Sequence, residues 1–225
     1  MTDYSLIGIY GGTFDPVHYG HLRVAEELVD TIAFDQFFFV PAGEPRLREA
    51  PIASKYHRTR MVALSIQNNP RFSLDKREIK RAGVSATVES LREYHTEYNG
   101  KAALCFIMGA DTFLKIHHWH HWLEIFQLCH LVIVDRPDSM RMMDRRNFPP
   151  VIQDACASRW ITCPTDLTSQ FSGMIYIAET TLLDISATRI RNLIAADKSI
   201  RYLLPEAVSD YIKTHHLYSG ENGFK

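Results

Sequence analysis

The sequence predicts an α/β fold with a doubly wound, mainly parallel sheet. Short continuous apolar runs at residues 6–10, 36–40, 104–108, 130–134 and 174–178 have the length and composition of buried strands. Several of the segments between them show the 3.6-residue periodicity of amphipathic helices. Strands that alternate with helices form βαβ units with parallel strands. We therefore expect a Rossmann-like arrangement, with helices on both faces of the sheet.

The length of 225 residues favours a single domain over residues 1–225. The apolar pattern weakens at about residues 138–172, which indicates an insertion. The net charge of −1 gives no global argument for a nucleic-acid partner. Positive charge must therefore be concentrated locally if the protein binds phosphates.

The four cysteines form no C-x-x-C pair, which is typical of a reducing compartment. No signal-peptide pattern opens the chain. No apolar run approaches the roughly 20 residues that span a bilayer. We expect a cytoplasmic protein without a membrane partner.

The first strand runs into Gly11-Gly12, and an amphipathic helix follows and ends near Ala33. Paired glycines let a backbone approach a ligand closely, and a helix N-terminus suits phosphate. His18 and His21 share one face of a helical turn and can donate hydrogen bonds to phosphoryl oxygens. A plain turn with two surface histidines is the alternative, but strand, glycines and histidines in register favour the phosphate site.

Residues 41–54 form a loop with three prolines, in which Arg46 and Arg48 either reach a polyphosphate or, slightly favoured, face solvent. A helix is expected over residues 55–68, and an extended segment over 71–75. Residues 76–83 are charged and expected to be exposed. Ser85 is expected to cap the next helix.

The strand at 104–108 ends in Gly109-Ala110-Asp111. In open α/β sheets, ligands bind beyond the carboxyl ends of strands. Gly109 permits close approach, and Asp111 can accept a hydrogen bond from a ribose hydroxyl. The alternative role for Asp111 is a helix cap, and both roles can hold together.

Four histidines lie within residues 117–121. They suggest a metal site, but no cysteine or carboxylate stands at ligand spacing, so a pocket rim or solvent exposure is favoured. Trp122, Leu123 and Phe126 are expected in the core. A helix is expected over residues 151–160.

Two further features point to anion binding. Arg136 follows the strand at 130–134 and can bind an oxyanion bidentately, or else pair with a nearby aspartate. Ser186 caps a helix near Arg189 and Arg191, which makes a second helix N-terminus suited to phosphate. A final helix begins near Pro205.

The run Gly11–His21, GGTFDPVHYGH, resembles the signature of the H-x-G-H nucleotidyltransferases. The resemblance covers residues 6–218 and is strongest to the bacterial nicotinate-mononucleotide adenylyltransferases. It implies a nucleotidyltransferase-type fold and adenylyl transfer from ATP to nicotinate mononucleotide, giving deamido-NAD and pyrophosphate. It also implies Mg²⁺ held mainly by the ATP phosphates, with no metal site made by the protein.

The same resemblance implies the site residues. The catalytic residues are His18 and His21. The ATP site comprises Gly11, Gly12, Thr13, Phe14, His18, His21, Ile185, Ser186, Thr188 and Arg191. The acceptor site comprises Thr87, Gly109, Asp111, Trp119 and Arg136. The chain departs from the family at residues 45–48 and at Ala86, where the family has a basic Pro-His element and a tyrosine.

Two other functions stay open. One is a related transferase such as the phosphopantetheine type, which lacks the set of Gly109, Asp111 and Trp119. The other is a nucleotide sensor without catalysis, against which the intact His18 and His21 argue. The sequence does not decide between the acid and the amide mononucleotide.

Overall fold

The computed structural model describes residues 4–45, 50–134, 144–181 and 183–219. The strands are β1 (Ser5–Gly12), β2 (Gln36–Pro41), β3 (Glu44–Pro45), β4 (Phe72–Leu74), β5 (Val84–Ser85), β6 (Ala102–Gly109), β7 (His130–Val134), β8 (Trp160–Ile161) and β9 (Ile175–Ala178). The helices are α1 (Tyr19–Thr31), α2 (Lys55–Ile66), α3 (Arg77–Lys80), α4 (Thr87–Tyr98), α5 (Ala110–Phe113), α6 (Trp122–Leu128), α7 (Pro150–Cys156), α8 (Ala187–Ala195) and α9 (Glu206–Thr214).

In the described part of the chain, seven strands form one sheet in the order β4-β2-β1-β6-β7-β9-β8. Every neighbouring pair is parallel, which confirms the predicted fold class. From β1 the chain winds outward to β2 and β4, and from β6 it winds the other way. The crevice at the carboxyl ends of β1 and β6 is therefore the switch point at which such sheets bind ligands.

The sheet separates two apolar layers, because successive side chains of a strand point to opposite faces. Leu6 packs in the layer that contains α1, α2, α8 and α9, whereas Ile7 packs in the layer of α4, α6 and α7. Cys105 and Leu104 divide between the two layers in the same way. Helices therefore cover both faces of the sheet.

Several local predictions are wrong. Residues 150–160 form the short helix α7 and then the edge strand β8, because Trp160 pairs with Ile175 instead of continuing the helix. Ser85 belongs to β5 and does not cap α4. The N-cap residue of α4 is Ala86, whose methyl side chain cannot accept a hydrogen bond from the first backbone N–H groups of the helix. Leu123 is exposed, and Ile125 takes the core position on α6.

The charged segment 76–83 is only partly exposed. Arg77 packs its guanidinium 3.3 Å from the ring centre of Tyr94. It also pairs with Asp75 at 2.6 Å and with Glu97 at 2.9 Å. The ion pairs and the aromatic face compensate for the burial of the charge, which a composition-based expectation of exposure misses.

None of the helices in the described residues has the length and apolarity that a bilayer crossing requires. Residues 144–172, part of the predicted insertion, supply α7 and β8 at one edge of the sheet.

Candidate active site

The two glycines at the end of β1 make room for aromatic rings. A Cβ atom on Gly12 would lie 2.7 Å from the ring of Phe14, and one on Gly11 would lie 2.9 Å from the ring of Phe106. Phe14 is buried and adopts a left-handed backbone conformation with φ of 50°. The glycines therefore serve the packing of the turn itself, a role that the prediction of close ligand approach did not include.

The two signature histidines lie together at the start of α1. Their rings stack with centroids 3.8 Å apart. The backbone N–H of His18, the N-cap residue, donates to Nδ1 of His21 at 3.3 Å. Because that nitrogen is an acceptor, a neutral His21 ring has its proton on Nε2. His21 thus has a fixed tautomer with a ring N–H donor on the opposite side.

Gly20, between the two histidines, lies close to the His18 ring and to the segment before α8. A Cβ atom at this position would lie 3.0 Å from the ring of His18 and 3.5 Å from the carbonyl oxygen of Ile185. A side chain here would press on the His18 imidazole, whereas the Ile185 carbonyl lies at an ordinary contact distance. The structure therefore brings the Ile185 segment against the N-terminus of α1.

The Asp15 carboxylate joins separate segments of the chain through its hydrogen bonds. It accepts from the backbone N–H groups of Ile52 at 2.9 Å and Ala53 at 3.1 Å. It also accepts from the hydroxyl of Tyr218 at 2.6 Å. Burial raises the pKa of Tyr218, so this hydroxyl keeps its proton and donates. Asp15 therefore ties the turn to the loop before α2 and to the C-terminal segment.

Arg58 on α2 is fully buried beneath the same turn. Its guanidinium donates to the carbonyl oxygens of Thr13 at 2.7 Å, Ala42 at 2.7 Å and Gly43 at 3.0 Å. Burial lowers the pKa of Arg58, and the nearby Asp15 carboxylate opposes that shift. Sequence reasoning did not identify this residue.

Arg191 joins the second motif to the first. Its Nη1 donates to the carbonyl oxygen of Asp15 at 2.7 Å, and its Nη2 donates to the hydroxyl of Thr188 at 3.2 Å. The Ser186 hydroxyl caps α8 by accepting from the N–H of Arg189 at 3.2 Å, as predicted. Ser186 and Thr188 also line an open groove along α8.

Three of the five predicted acceptor residues, Gly109, Asp111 and Trp119, lie at or shortly after the end of β6. Asp111, in the first turn of α5, folds back so that its Oδ1 would be 2.7 Å from a Cβ atom on Gly109. Trp119 packs edge-to-face on Phe106, the ring that also covers Gly11, with centroids 6.0 Å apart. Phe106 therefore connects the two halves of the crevice.

Thr87 is the first residue of α4 and is half-buried. Arg136, Arg46 and Arg48 lie outside the described residues. The predicted roles of these four residues therefore stay predictions.

In the histidine-rich segment, His117 is half-buried, whereas His118, His120 and His121 are exposed. Burial, together with the neighbouring His118, lowers the pKa of His117. Across the described part of the chain, no group of three or more His, Cys, Asp or Glu side chains is arranged to hold a metal ion.

Arg58 and Tyr218, which sequence reasoning did not identify, left little signal in the sequence. Arg58 stands three and four residues before the buried Met61 and Val62, which places it on the apolar face of its helix. A charged residue at that position must find partners. No local pattern identifies Tyr218, which lies 203 residues from Asp15.

A family model described as cytidylyltransferase-like matches residues 9–193. The chain belongs to the cytidylyltransferase-like family. It is 38% identical over 219 residues to a protein of Yersinia pestis strain Pestoides F, covering 97% of this chain and 98% of that one. It is 39% identical over 215 residues to a protein of Methylococcus capsulatus strain Bath, covering 95% and 100%. Both are named "Probable nicotinate-nucleotide adenylyltransferase".

These full-length likenesses confirm the predicted resemblance to the nicotinate-nucleotide adenylyltransferases. The fold is also similar to that of a Plasmodium falciparum nicotinic acid mononucleotide adenylyltransferase complexed with NaAD. That comparison has a TM-score of 0.72 and 17% identity, and it covers 99% of this chain and 100% of the other. At this identity the comparison supports the fold alone.

Proposed function

We propose that this chain transfers the adenylyl group of ATP to nicotinate mononucleotide, giving deamido-NAD and pyrophosphate. Two motifs are predicted to bind phosphate, the turn between β1 and α1 and the start of α8. The observation that carries the proposal is their junction, where Arg191 donates to the Asp15 carbonyl at 2.7 Å. It lies beside the end of β1, at the switch point of the sheet. Relatives of 38–39% identity over nearly the whole chain support the choice of acceptor.

The reaction needs neither a general base nor a covalent enzyme intermediate. An oxygen of the acceptor's 5′-phosphate, already anionic, forms a bond to the α-phosphorus of ATP. The bond from that phosphorus to the bridging oxygen of the β-phosphate breaks, and its electron pair leaves with pyrophosphate. Catalysis then consists of positioning and charge stabilisation.

His18 and His21 supply part of that stabilisation. The Nδ1 of His21 is engaged by the His18 N–H, so its Nε2–H is the group that can donate to a phosphoryl oxygen. The stacked rings hold both imidazoles in one place before substrate arrives. We assign the backbone of Gly11, Gly12, Thr13 and Phe14 to the same half of the site.

The second motif binds the β- and γ-phosphates. The Ser186 oxygen accepts from a backbone N–H, which leaves its hydroxyl proton free to donate to a phosphate. Thr188 is exposed at the N-terminus of α8, where the helix dipole favours negative charge. Arg191 adds positive charge while it holds Asp15, and Ile185 borders the adenine.

Mg²⁺ is the proposed cofactor, held by phosphate oxygens and water. The polar groups at the phosphate site are N–H donors, hydroxyls and a guanidinium, and the Asp15 carboxylate is occupied by three donors. Such a donor set suits phosphates rather than a bare cation. When bound to ATP, Mg²⁺ would neutralise charge on the leaving pyrophosphate.

The acceptor occupies the end of β6. Asp111 is exposed and can accept from a ribose hydroxyl. We assign Gly109, whose missing side chain leaves room for the Asp111 carboxylate, to the same nucleotide. The Trp119 indole stacks on the electron-poor pyridinium ring of the acceptor. We assign Thr87 and Arg136 to the same mononucleotide, and we propose a cytoplasmic location without nucleic-acid or membrane partners.

The test is pyrophosphate release from ATP and Mg²⁺ with three acceptors: nicotinate mononucleotide, nicotinamide mononucleotide and phosphopantetheine. We expect the first to be used fastest. Faster release with the amide or with phosphopantetheine would overturn the acceptor and leave the transfer chemistry intact. ATP binding without release from any acceptor would contradict catalysis and favour a nucleotide sensor.

A further inference from the structure

We infer that Arg58 is a positioning residue for adenylyl transfer. It acts through the backbone of the turn between β1 and α1, here called the phosphate turn, rather than by touching substrate. This inference rests on the proposed function. Arg58 is 1% exposed, at the buried side of the turn that precedes His18 and His21. No phosphate can reach such a guanidinium without a rearrangement of the turn, so its effect on the reaction must be indirect.

The partners of Arg58 are backbone carbonyls from three separate segments. They belong to Thr13 in the phosphate turn, Ala42 and Gly43 after β2, and Ala53 before α2, the last at 3.3 Å from Nε. Within the described residues, no carboxylate lies within 4 Å of this guanidinium. A buried arginine with only carbonyl acceptors fixes backbone orientation without an ion pair of its own.

The contact with Thr13 sets the direction of a peptide group in the site. A trans peptide is planar, so its C=O and N–H point in opposite directions. With the Thr13 carbonyl directed at Arg58, the N–H of Phe14 points away from it. Phe14 has a φ of 50°, a conformation that side-chain-bearing residues adopt at a cost and that neighbours must hold.

The contacts with Ala42 and Gly43 couple this turn to the loop after β2. The N–H of Ala42 also donates to the carbonyl of Gly12 at 2.8 Å. This bond and the hydrogen bonds of Arg58 to Thr13, Ala42 and Gly43 therefore link the end of β1 to the end of β2. In this way Arg58 keeps both strand ends in the position that binds ATP.

The test compares Arg58→Lys and Arg58→Met with the same changes at Arg60, an exposed residue of the same helix. Lysine keeps the charge but cannot reproduce the planar fork that spans three segments. We expect kcat/KM for ATP to fall about 100-fold in Arg58→Lys, as for a small misplacement of reacting groups. Amide hydrogen exchange at residues 12–15 and 42–44 should become faster, and the Arg60 variants should match the wild type.

A folded Arg58→Lys variant with kcat/KM within about twofold of the wild type would overturn the inference, as would unchanged exchange in both segments. If both Arg58 variants fail to fold, the wild type supplies the test through ¹⁵N-arginine NMR. Separate, slowly exchanging Nη protons of Arg58 that shift when ATP is added would support it. No shift at saturating ATP would overturn it.

Failure of the proposed function can be distinguished from failure of the inference about Arg58. Hydrogen exchange, the NMR titration and the dissociation constant for ATP require no acceptor. A wild type that binds ATP but releases no pyrophosphate would contradict the transfer reaction, while the ATP affinity of Arg58→Lys would still support or overturn the positioning role.

Discussion

The guanidinium of Arg191 donates to the backbone carbonyl of Asp15 at 2.7 Å, across 176 residues of sequence. This bond joins the glycine-histidine turn to the N-terminal region of α8. The same arginine donates to the Thr188 hydroxyl, so one side chain contacts both of the motifs proposed to bind phosphate. The proposed ATP site is therefore assembled from segments near the two ends of the chain, and its geometry depends on the contacts between them.

Arg191→Lys should lower kcat/KM for ATP by about tenfold to 100-fold. The lysine ammonium is a compact charge and cannot reproduce the planar fork that donates to both the Asp15 carbonyl and the Thr188 hydroxyl. Steady-state pyrophosphate release measures the effect. Arg201→Lys, a change at an exposed arginine in the segment between α8 and α9, is the control and should leave the rate unchanged. Wild-type kinetics in Arg191→Lys would refute the assigned role.

Tyr218→Phe should reduce the free energy of unfolding by about 2 kcal/mol, the typical contribution of a hydrogen bond to a charged group. The lost bond is the buried one from the Tyr218 hydroxyl to Asp15. Denaturant unfolding measures it, with Tyr202→Phe as the control, because Tyr202 is 87% exposed. Equal stability of the two variants would contradict the tie between the C-terminal segment and the turn.

His130 should make the protein less stable as the pH falls below about 6.5. The imidazole is fully buried on β7, accepts from the N–H of Met174 at 3.1 Å and contacts the carbonyl of Gln170 at 3.1 Å. Burial lowers its pKa from 6.5 to about 4. Because the pKa of His130 is lower in the folded protein, the unfolded chain takes up the proton at a higher pH. The contribution of the neutral imidazole to the free energy of unfolding is therefore present in full above pH 6.5 and is lost as the pH falls toward 4.

The expected loss attributable to His130 between pH 7 and pH 5 is about 2 kcal/mol. Unfolding free energies at both pH values, for the wild type and His130→Asn, measure it as the difference in pH dependence. His118→Asn is the control at an exposed histidine. The same pH dependence in the wild type and in His130→Asn would show that His130 does not titrate as described.

Trp119→Ala should raise KM for nicotinate mononucleotide about tenfold through loss of ring stacking, with little change in KM for ATP. Initial rates at varied acceptor and varied ATP separate the two constants. Trp122→Phe, a change at the neighbouring half-buried tryptophan, is the control. If Trp119→Ala raised both constants equally, the indole would be supporting the fold and not the acceptor.

The parallel sheet was predictable because each central strand, such as β6 or β7, is a continuous apolar run ended by a recognisable turn. Motifs that combine glycine, histidine and a helix start were equally visible, as at His18 and at Ser186. Edge strand β8 was not predictable, because a strand of only two residues shows no periodicity in the sequence. Its identity depends on pairing with β9, which is a tertiary contact.

The support around the site was also hidden from the sequence. Arg58 and Tyr218 act through backbone carbonyls and through Asp15, and such partners have no local signature. The roles of Gly11 and Gly12 depend on where Phe106 and Phe14 pack. A sequence motif therefore identifies the chemical groups, whereas the contacts that orient them emerge only when distant segments come together.

The most direct test of the central claim is pyrophosphate release by His18→Ala and His21→Ala, measured with saturating ATP, Mg²⁺ and nicotinate mononucleotide. We expect turnover to fall about 100-fold or more in each variant, as when a donor to a developing phosphoryl charge is removed. Unfolding curves must first establish that both variants are folded. Near-normal turnover in both folded variants would contradict the assignment of the stacked histidines to the reaction.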